Sequence, residues 1–236
     1  MIKPSVQLSE RMAAVAAMVT PGNRLADVGC DHGYLSIWLC GKGIVPSAAA
    51  LDVNPGPLSA AEKNIAEQGL GAYIETRLSD GLEAVKPGEA DTVVIAGMGG
   101  RLMSRILREG EKVLRTVREL VLEPQSEPEE LRRCLMELRF RIEQEDMVRE
   151  AGKYYPVIRA VPGEERRLGS EELRYGPLLL KDRHPVLLQY LKKEEAQLLR
   201  LERALSERTE ERSRERALEI QEELRMNRRA LAYYEE

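Results

Sequence analysis

The sequence predicts an α/β fold in which a mostly parallel, Rossmann-like sheet is followed by a helical hairpin. Between about residues 24 and 138, short apolar runs alternate with segments of helical periodicity, which is typical of βαβ units and a parallel sheet. Two alternating segments then flank the turn residues Ala151-Gly152-Lys153 and predict a closing β-hairpin. A final stretch rich in Leu, Glu, Arg and Lys, from about residue 185, predicts a coiled coil.

The elements of the first part follow one another in a regular order. Residues 8–19 carry apolar side chains at helical spacing, and Pro21-Gly22 ends this first helix. Five apolar runs predict strands over residues 24–28, 48–53, 73–78, 91–96 and 120–122. Helices are predicted to begin at Leu35 and to span residues 58–68, 101–115 and 128–138. The hairpin strands are predicted over residues 140–148 and 155–161, so that the last strand runs antiparallel.

We expect two domains, a Rossmann-like domain at residues 1–163 and a linker with a helical domain at residues 164–236. Leu191, Leu198 and Leu205 are seven residues apart, whereas the charged segment 206–216 contains no leucine and interrupts the heptad pattern. This break favours two helices folded back as an antiparallel coiled-coil hairpin. One long helix in a parallel dimer is the alternative. A monomer is therefore favoured, with a dimer through the coiled coil left open.

Composition limits the classes of protein that the chain can belong to. The 236 residues are 43% hydrophobic, only 4% aromatic, and carry a net charge of −4, so a nucleic-acid partner would have to meet a local basic patch. The three cysteines show no metal-ligand spacing, and unpaired thiols fit a reducing cytosol. No apolar run is long enough to span a bilayer. We expect a cytoplasmic protein without a metal site.

Four short segments, each following an apolar run, predict a ligand site along one edge of the sheet. The first, Asp27-Val-Gly-Cys-Asp31-His-Gly33, is a glycine turn without the third glycine of the dinucleotide pattern. Its Asp27 would repel a pyrophosphate but can receive an ammonium group. Asp52, about 20 residues later, can accept both hydroxyl hydrogens of a ribose. The candidate cofactor-binding residues are Asp27, Gly29, Cys30, Asp31, Gly33, Asp52, Val53, Asn54, Asp80, Gly81, Ala96, Gly97 and Met98.

These segments suit a nucleoside with an amino-acid tail, and S-adenosyl-L-methionine is the cofactor that we predict. Asp80 can accept from the amino group of its adenine. Each feature also has a purely structural interpretation: Asp52 as a helix cap, Asp80-Gly81 as an ordinary turn, and Met98 as core filler. Because all four segments follow successive predicted strands and so fall on the same edge of the sheet, we favour cofactor binding. With its antiparallel last strand, the predicted sheet matches that of class I methyltransferases.

A basic stripe follows the fourth segment. Arg101, Arg105, Arg108 and Lys112 fall on one face of the predicted helix 101–115, without interleaved acids. They are candidate RNA-binding residues, because such a face beside an acceptor site can meet phosphates. An ordinary solvated helix face is the alternative.

The chain resembles the bacterial tRNA adenine-N1 methyltransferase family that modifies position 22 in the D-arm. The likeness covers nearly the whole length and includes Leu8-Ser-Glu-Arg-Met, the glycine turn with Asp31-His32, Ala96-Gly-Met-Gly-Gly and Gly152-Lys-Tyr-Tyr. One departure is Leu122-Glu123-Pro124-Gln125, where the family more usually reads Leu-Gln-Pro-Asn. The resemblance implies an enzyme that transfers a methyl group from S-adenosyl-L-methionine to N1 of an adenine in tRNA.

Asp31 and His32 are the candidate catalytic residues of this reaction. N1 of adenine carries a free lone pair, so they would orient or stabilise groups rather than act as strong bases. A cofactor contact for Asp31 and a structural loop role for His32 are the alternatives. Two other functions remain open on the residues alone: methylation of another RNA, a protein or a small molecule, and a non-catalytic scaffold that binds partners through the coiled coil.

Overall fold

The computed structural model describes residues 6–206 and 211–235. The chain divides into two compact units, Met1–Arg166 and Arg167–Glu236. Each unit has its own core, and they are described in turn.

The first unit is built on one seven-stranded sheet with the strand order β3-β2-β1-β4-β5-β7-β6. The strands are β1 (Leu25–Val28), β2 (Ala48–Asp52), β3 (Ile74–Leu78), β4 (Thr92–Gly99), β5 (Glu119–Ser126), β6 (Phe140–Glu150) and β7 (Lys153–Pro162). The first five run parallel, whereas β7 is antiparallel to both β5 and β6. The predicted fold class, a Rossmann-like sheet with an antiparallel strand after five parallel ones, is confirmed.

Helices cover this sheet and place its central strands in the core. They are α1 (Glu10–Ala17), α2 (Tyr34–Gly41), α3 (Pro55–Glu67), α4 (Gly100–Glu109), α5 (Glu111–Leu114) and α6 (Pro128–Glu137). Alternate residues of the strands, such as Ala50, Val94 and Val121, pack with the apolar faces of α1, α2 and α3 in one buried cluster. The low aromatic content is consistent with this core, which is almost wholly aliphatic.

Two predicted boundaries around the fourth strand are wrong. The glycine-rich segment does not follow β4 but forms its last residues, and the register with β5 shifts between Ala96 and Gly99. The predicted helix 101–115 is not continuous, since α4 ends at Glu109 and Gly110 separates it from the short α5. A methyl group on Gly110 would lie 2.5 Å from Leu82 Cδ1, so a close contact with the preceding loop accompanies this break. The basic stripe therefore does not lie on one helix face.

The second unit is helical. Residues predicted as a linker contain two short helices, α7 (Ser170–Tyr175) and α8 (Pro177–Lys181), and two long helices follow, α9 (Pro185–Ser206) and α10 (Glu211–Ala232). Asn227 Nδ2 near the end of α10 donates to Leu191 O near the start of α9, at 3.1 Å, so the long helices run antiparallel. Leu198, Ile220 and Leu224 are buried between them. The coiled-coil hairpin is thus present, while residues 207–210 lie outside the described part of the chain. None of the described helices is long and apolar enough to cross a membrane.

Candidate active site

A cavity of about 850 Å³ lies at the carboxyl ends of the central strands. It sits where the strand order reverses, with β1 between β2 and β4, which is the usual position of ligand sites in open α/β sheets. Its volume is within the range of sites for small organic ligands. Of the candidate cofactor-binding residues, all but Gly33 line it: Asp27, Gly29, Cys30, Asp31, Asp52, Val53, Asn54, Asp80, Gly81, Ala96, Gly97 and Met98.

The turn after β1 is shaped by left-handed backbone conformations. Gly29, Asp31 and Gly33 have φ angles of 73°, 51° and 72°, and the N–H groups of Gly29 and Cys30 both donate to Leu51 O on the neighbouring strand. A methyl group on Gly29 would lie 2.2 Å from Met98 Cε, so glycine leaves room for the Met98 side chain, which lines the cavity, to pack against this turn. Gly33 instead packs against α3, where the same methyl group would lie 3.2 Å from Ala61 Cβ. Its expected cofactor contact is therefore not supported by its position.

Asp27 is buried beneath the turn. It shares the strand face of Leu25 and accepts a hydrogen bond from Ser36 Oγ on α2, at 2.7 Å. Burial raises the pKa of Asp27 to about 6, although the hydrogen bond from Ser36 opposes that shift. A carboxylate held in this state gains from a cationic neighbour, because a positive charge offsets its desolvation.

Asp52 ends β2 and is only 8% exposed. Its Oδ1 accepts from the N–H of Asn54 at 2.8 Å, and its Oδ2 accepts from the N–H of Asp31 at 3.3 Å. Asn54 is the cap residue of α3 itself, so these bonds hold the loop rather than the first helical turn. Each carboxylate oxygen keeps a further lone pair, and the two together can accept from neighbouring hydroxyl groups.

Asp80 is engaged by an arginine of the predicted basic stripe. Arg105 donates from Nη2 to Oδ1 at 2.9 Å and from Nη1 to Oδ2 at 3.2 Å. This hydrogen bonding lowers the pKa of Asp80, and the pair lines the cavity beside Gly81. An amino group of a ligand that donates to Asp80 must therefore share the carboxylate with Arg105.

The remaining arginines of the stripe are also paired, which corrects the expectation of a face without acids. Arg101 pairs with Glu127 at 2.7 Å, and Arg108 pairs with Glu137 at 2.8 Å. Both acids are distant in sequence, on the segment that packs beside α4. Lys112 falls on α5, at a separate small cavity of about 180 Å³. Arg101, Arg108 and Lys112 do not line the main cavity, whereas Arg105 does.

Asp31 and His32 stand at the mouth of the cavity. The Asp31 side chain is 73% exposed, and its Oδ1 lies 3.5 Å from His32 Nε2. The His32 ring stacks on Tyr34, with ring centroids 5.6 Å apart. Both candidates thus face the cavity from a solvated rim, a setting that suits positioning more than strong base catalysis.

Sequence reasoning missed a wall of the cavity that comes from the start of the chain. The lining includes Gln7, Leu8, Ser9, Arg11 and Met12. Their apolar spacing indicated a buried helix, although the Arg11 charge and the family resemblance of Leu8-Ser-Glu-Arg-Met could have pointed to a site. Arg11 Nη1 lies 2.7 Å from Glu123 Oε2, and the guanidinium lies 5.3 Å from the centre of the Tyr155 ring.

Glu123 is the second residue that the sequence did not explain. It is fully buried within β5, and the same Oε2 also accepts the N–H of Gly97 at 2.7 Å. Burial raises the pKa of Glu123, while the charge of Arg11 and the Gly97 N–H oppose that rise. One carboxylate thereby ties α1 to the glycine-rich end of β4. Among the described residues, no cluster of side chains could hold a metal ion.

Comparisons with known proteins agree with this geometry. A methyltransferase-domain family model matches residues 8–158. The tRNA (adenine(22)-N1)-methyltransferase of Bacillus subtilis is 33% identical over 189 residues, which are 78% of this chain and 79% of the relative. A Streptococcus pneumoniae protein solved in complex with S-adenosyl-L-methionine is 36% identical, with a TM-score of 0.86, over 95% of this chain and 100% of that one. The TrmK protein of M. capricolum, in complex with S-adenosyl-homocysteine, is 27% identical, with a TM-score of 0.84, over 96% and 98% of the two chains.

Proposed function

The chain belongs to the tRNA (adenine(22)-N1)-methyltransferase family, and we propose that it transfers a methyl group from S-adenosyl-L-methionine to N1 of adenine 22 in tRNA. The observation that carries this function is the convergence of Asp27, Asp52 and the Gly97 segment on one cavity, at the reversal of the strand order. The cofactor supplies a methyl group bound to a positively charged sulfur, which makes that carbon electrophilic.

The donor set of the cavity fits this cofactor. Asp52 is a buried acceptor with lone pairs left over after its two backbone hydrogen bonds, as ribose hydroxyls require. Asp27 is a buried carboxylate with no basic partner among its hydrogen bonds, as an ammonium requires. Val53 and Ile106 offer apolar surface for a flat base, and Asp80 also lines the cavity.

The chain's own work is to bind and to align. Because N1 of adenine has a free lone pair, no side chain has to remove a proton before attack, and rate enhancement comes from orientation and from the electrostatic field. The target base must leave its stack to enter the cavity. We assign Asp31 and His32 to its orientation at the rim. Phosphate contacts are assigned to Arg101, Arg105, Arg108 and Lys112, of which Arg105 lines the cavity. Each arginine would exchange an acid partner for a phosphate.

We also propose that the enzyme acts as a monomer in the cytoplasm, where its tRNA substrate is found. Leu198 of α9 is buried against Ile220 and Leu224 of α10 in the same chain, which supports a hairpin within one copy.

A methyl-transfer assay tests this function. Tritiated cofactor and an unmodified tRNA transcript should give labelled 1-methyladenosine, located at position 22 by mass mapping of nuclease fragments. A transcript with guanine at position 22 is the matched control and should take up no label there. Equal labelling of both transcripts, or label that survives nuclease treatment in the protein fraction, would reject the proposal.

A further inference from the structure

The acceptor side of the cavity has a corner formed by three residues from separate elements, Arg11, Gly97 and Gln125. A methyl group on Gly97 would lie 3.6 Å from Gln125 Nε2 and 3.7 Å from Arg11 Nη1, so the amide and the guanidinium flank the same piece of backbone. All three line the cavity. This acceptor corner belongs to β4, β5 and α1, whereas Asp52 ends β2, which is two strands from β4 and three from β5 along the sheet. It is therefore placed for the substrate base rather than for the ribose of the cofactor.

Hydrogen bonds to one buried carboxylate hold the acceptor corner in place. The buried carboxylate of Glu123 accepts from both Arg11 and the N–H of Gly97, each at 2.7 Å. Arg11 is held further by the Tyr155 ring and by Glu150, whose carboxylate lies 3.9 Å from the Arg11 Nε. The Arg11 guanidinium is therefore already paired with two carboxylates.

Gln125 differs from these neighbours because its side chain is exposed and free. Among the residues that the structure describes, its amide has no hydrogen-bond partner, although it lines the cavity. A primary amide presents one donor and one acceptor side by side, which matches the edge of an adenine.

The chemistry of the reaction decides which edge of the base this amide can read. Adenine offers its N6 amino group together with N1 on one side and together with N7 on the other. An amide on the N1 side would consume the lone pair that attacks the methyl group. An amide on the N7 side leaves N1 free. Guanine presents two acceptors at O6 and N7, so it cannot satisfy the amide oxygen.

We propose that Gln125 selects the target adenine by a bidentate contact with its N6 and N7 atoms, and so aims N1 at the methyl donor. The amide oxygen accepts from the N6 amino group, and the amide N–H donates to N7. Arg11 and Glu123 are positioning residues for this contact, since they fix the Gly97 backbone against which the amide rests. This assignment rests on the proposed function of the chain.

Atomic substitution of the substrate tests the contact. A tRNA with 7-deazaadenosine at position 22 lacks the N7 acceptor but keeps N1 and the N6 amino group. With the wild-type enzyme, this tRNA should have a kcat/KM roughly 5- to 10-fold below that of the normal tRNA, the size expected for one lost hydrogen bond. With Gln125→Ala the penalty should fall below about twofold, because the partner of N7 is already gone.

Two further variants make the test specific. Gln7→Ala removes another exposed glutamine of the same cavity and should keep the full wild-type penalty, whatever its own activity. Gln125→Glu keeps the acceptor for N6 but sets a carboxylate oxygen against the lone pair of N7, so 7-deazaadenosine, which lacks that lone pair, should bring no penalty with this variant and can raise its rate.

Equal rates of the wild-type enzyme on both tRNAs would overturn the assignment, and so would a full penalty in Gln125→Ala. A failure of the proposed function would look different, since the normal tRNA would then yield no 1-methyladenosine at all.

Discussion

Replacing Asp52 by asparagine should weaken cofactor binding strongly while leaving the fold in place. The substitution keeps the shape of the side chain but turns one acceptor oxygen into a donor. That donor would face the N–H of either Asn54 or Asp31, which now donate to Oδ1 and Oδ2. The site thus loses a charged acceptor for the ribose hydroxyls, and the new amide N–H group points at a backbone N–H group, so neither has an acceptor there.

The magnitude follows from the burial of this carboxylate. At 8% exposure, its hydrogen bonds are shielded from water, and a hydrogen bond to a charged group contributes about 1.5–3 kcal/mol. A net loss of about 2–3 kcal/mol corresponds to a roughly 30- to 150-fold rise in the Kd for S-adenosyl-L-methionine. Isothermal titration calorimetry at pH 7.5 measures that constant directly.

Asp91→Asn is the matched control. Asp91 precedes β4 at the opposite edge of the sheet, and it also accepts a backbone N–H, that of Arg24 at 3.0 Å. It does not line the cavity, so its substitution should change cofactor affinity less than twofold. A Kd of Asp52→Asn within threefold of the wild-type value, or an equal loss of affinity in both variants, would show that Asp52 does not hold the ribose of the cofactor.

The site supports four other predictions. The pKa of Asp27 is about 6 in the free protein, and the cofactor binds its carboxylate form. The Kd for the cofactor should therefore rise up to tenfold per pH unit below pH 6 and stay constant above pH 7. In Asp27→Asn, the Kd measured by calorimetry should no longer depend on pH in this range. The same raised pKa means that Asp27 adds stability at low pH, which is lost as pH rises through 6, so the unliganded Asp27→Asn protein should show a smaller change of Tm across that range. Gly29→Ala should raise cofactor Kd about tenfold, because φ is +73° and the methyl group displaces Met98, and adding Met98→Ala should restore only part of that loss. Replacing Arg108 and Lys112 together by alanine should raise the KM for tRNA and lower the salt slope of tRNA binding by roughly 1.5 to 2 units, and an unchanged slope would remove both from the phosphate interface.

The strand-end acids and glycines were predictable because parallel strands end at one edge of the sheet. Asp27, Asp52 and Gly97 therefore meet in one cavity, although 70 residues of sequence separate the first from the last. The signal is local: an apolar run followed by a small or acidic residue. The other features of the site could not be predicted from such a local signal, because they depend on contacts between segments that are far apart in sequence.

The basic stripe shows this limit most clearly. Its helical spacing continues through Gly110, so periodicity alone predicted one helix where the chain makes two. Its arginines find acids at Asp80, Glu127 and Glu137, which no spacing rule connects to them. The role of Arg11 was hidden for the same reason, since Glu123 lies 112 residues away.

The shared carboxylate of Glu123 has an evolutionary consequence. Loss of Arg11 alone would leave a fully buried negative charge without its counter-ion, which typically costs about 3–5 kcal/mol. Loss of Glu123 alone would leave Arg11 with Tyr155 and with the carboxylate of Glu150 at 3.9 Å, and it would leave the Gly97 N–H without its acceptor. An acid at position 123 should therefore occur only together with a basic residue at position 11, whereas glutamine, the residue more usual in the family, can still accept from Arg11 and from the Gly97 N–H and so does not require Arg11 to change.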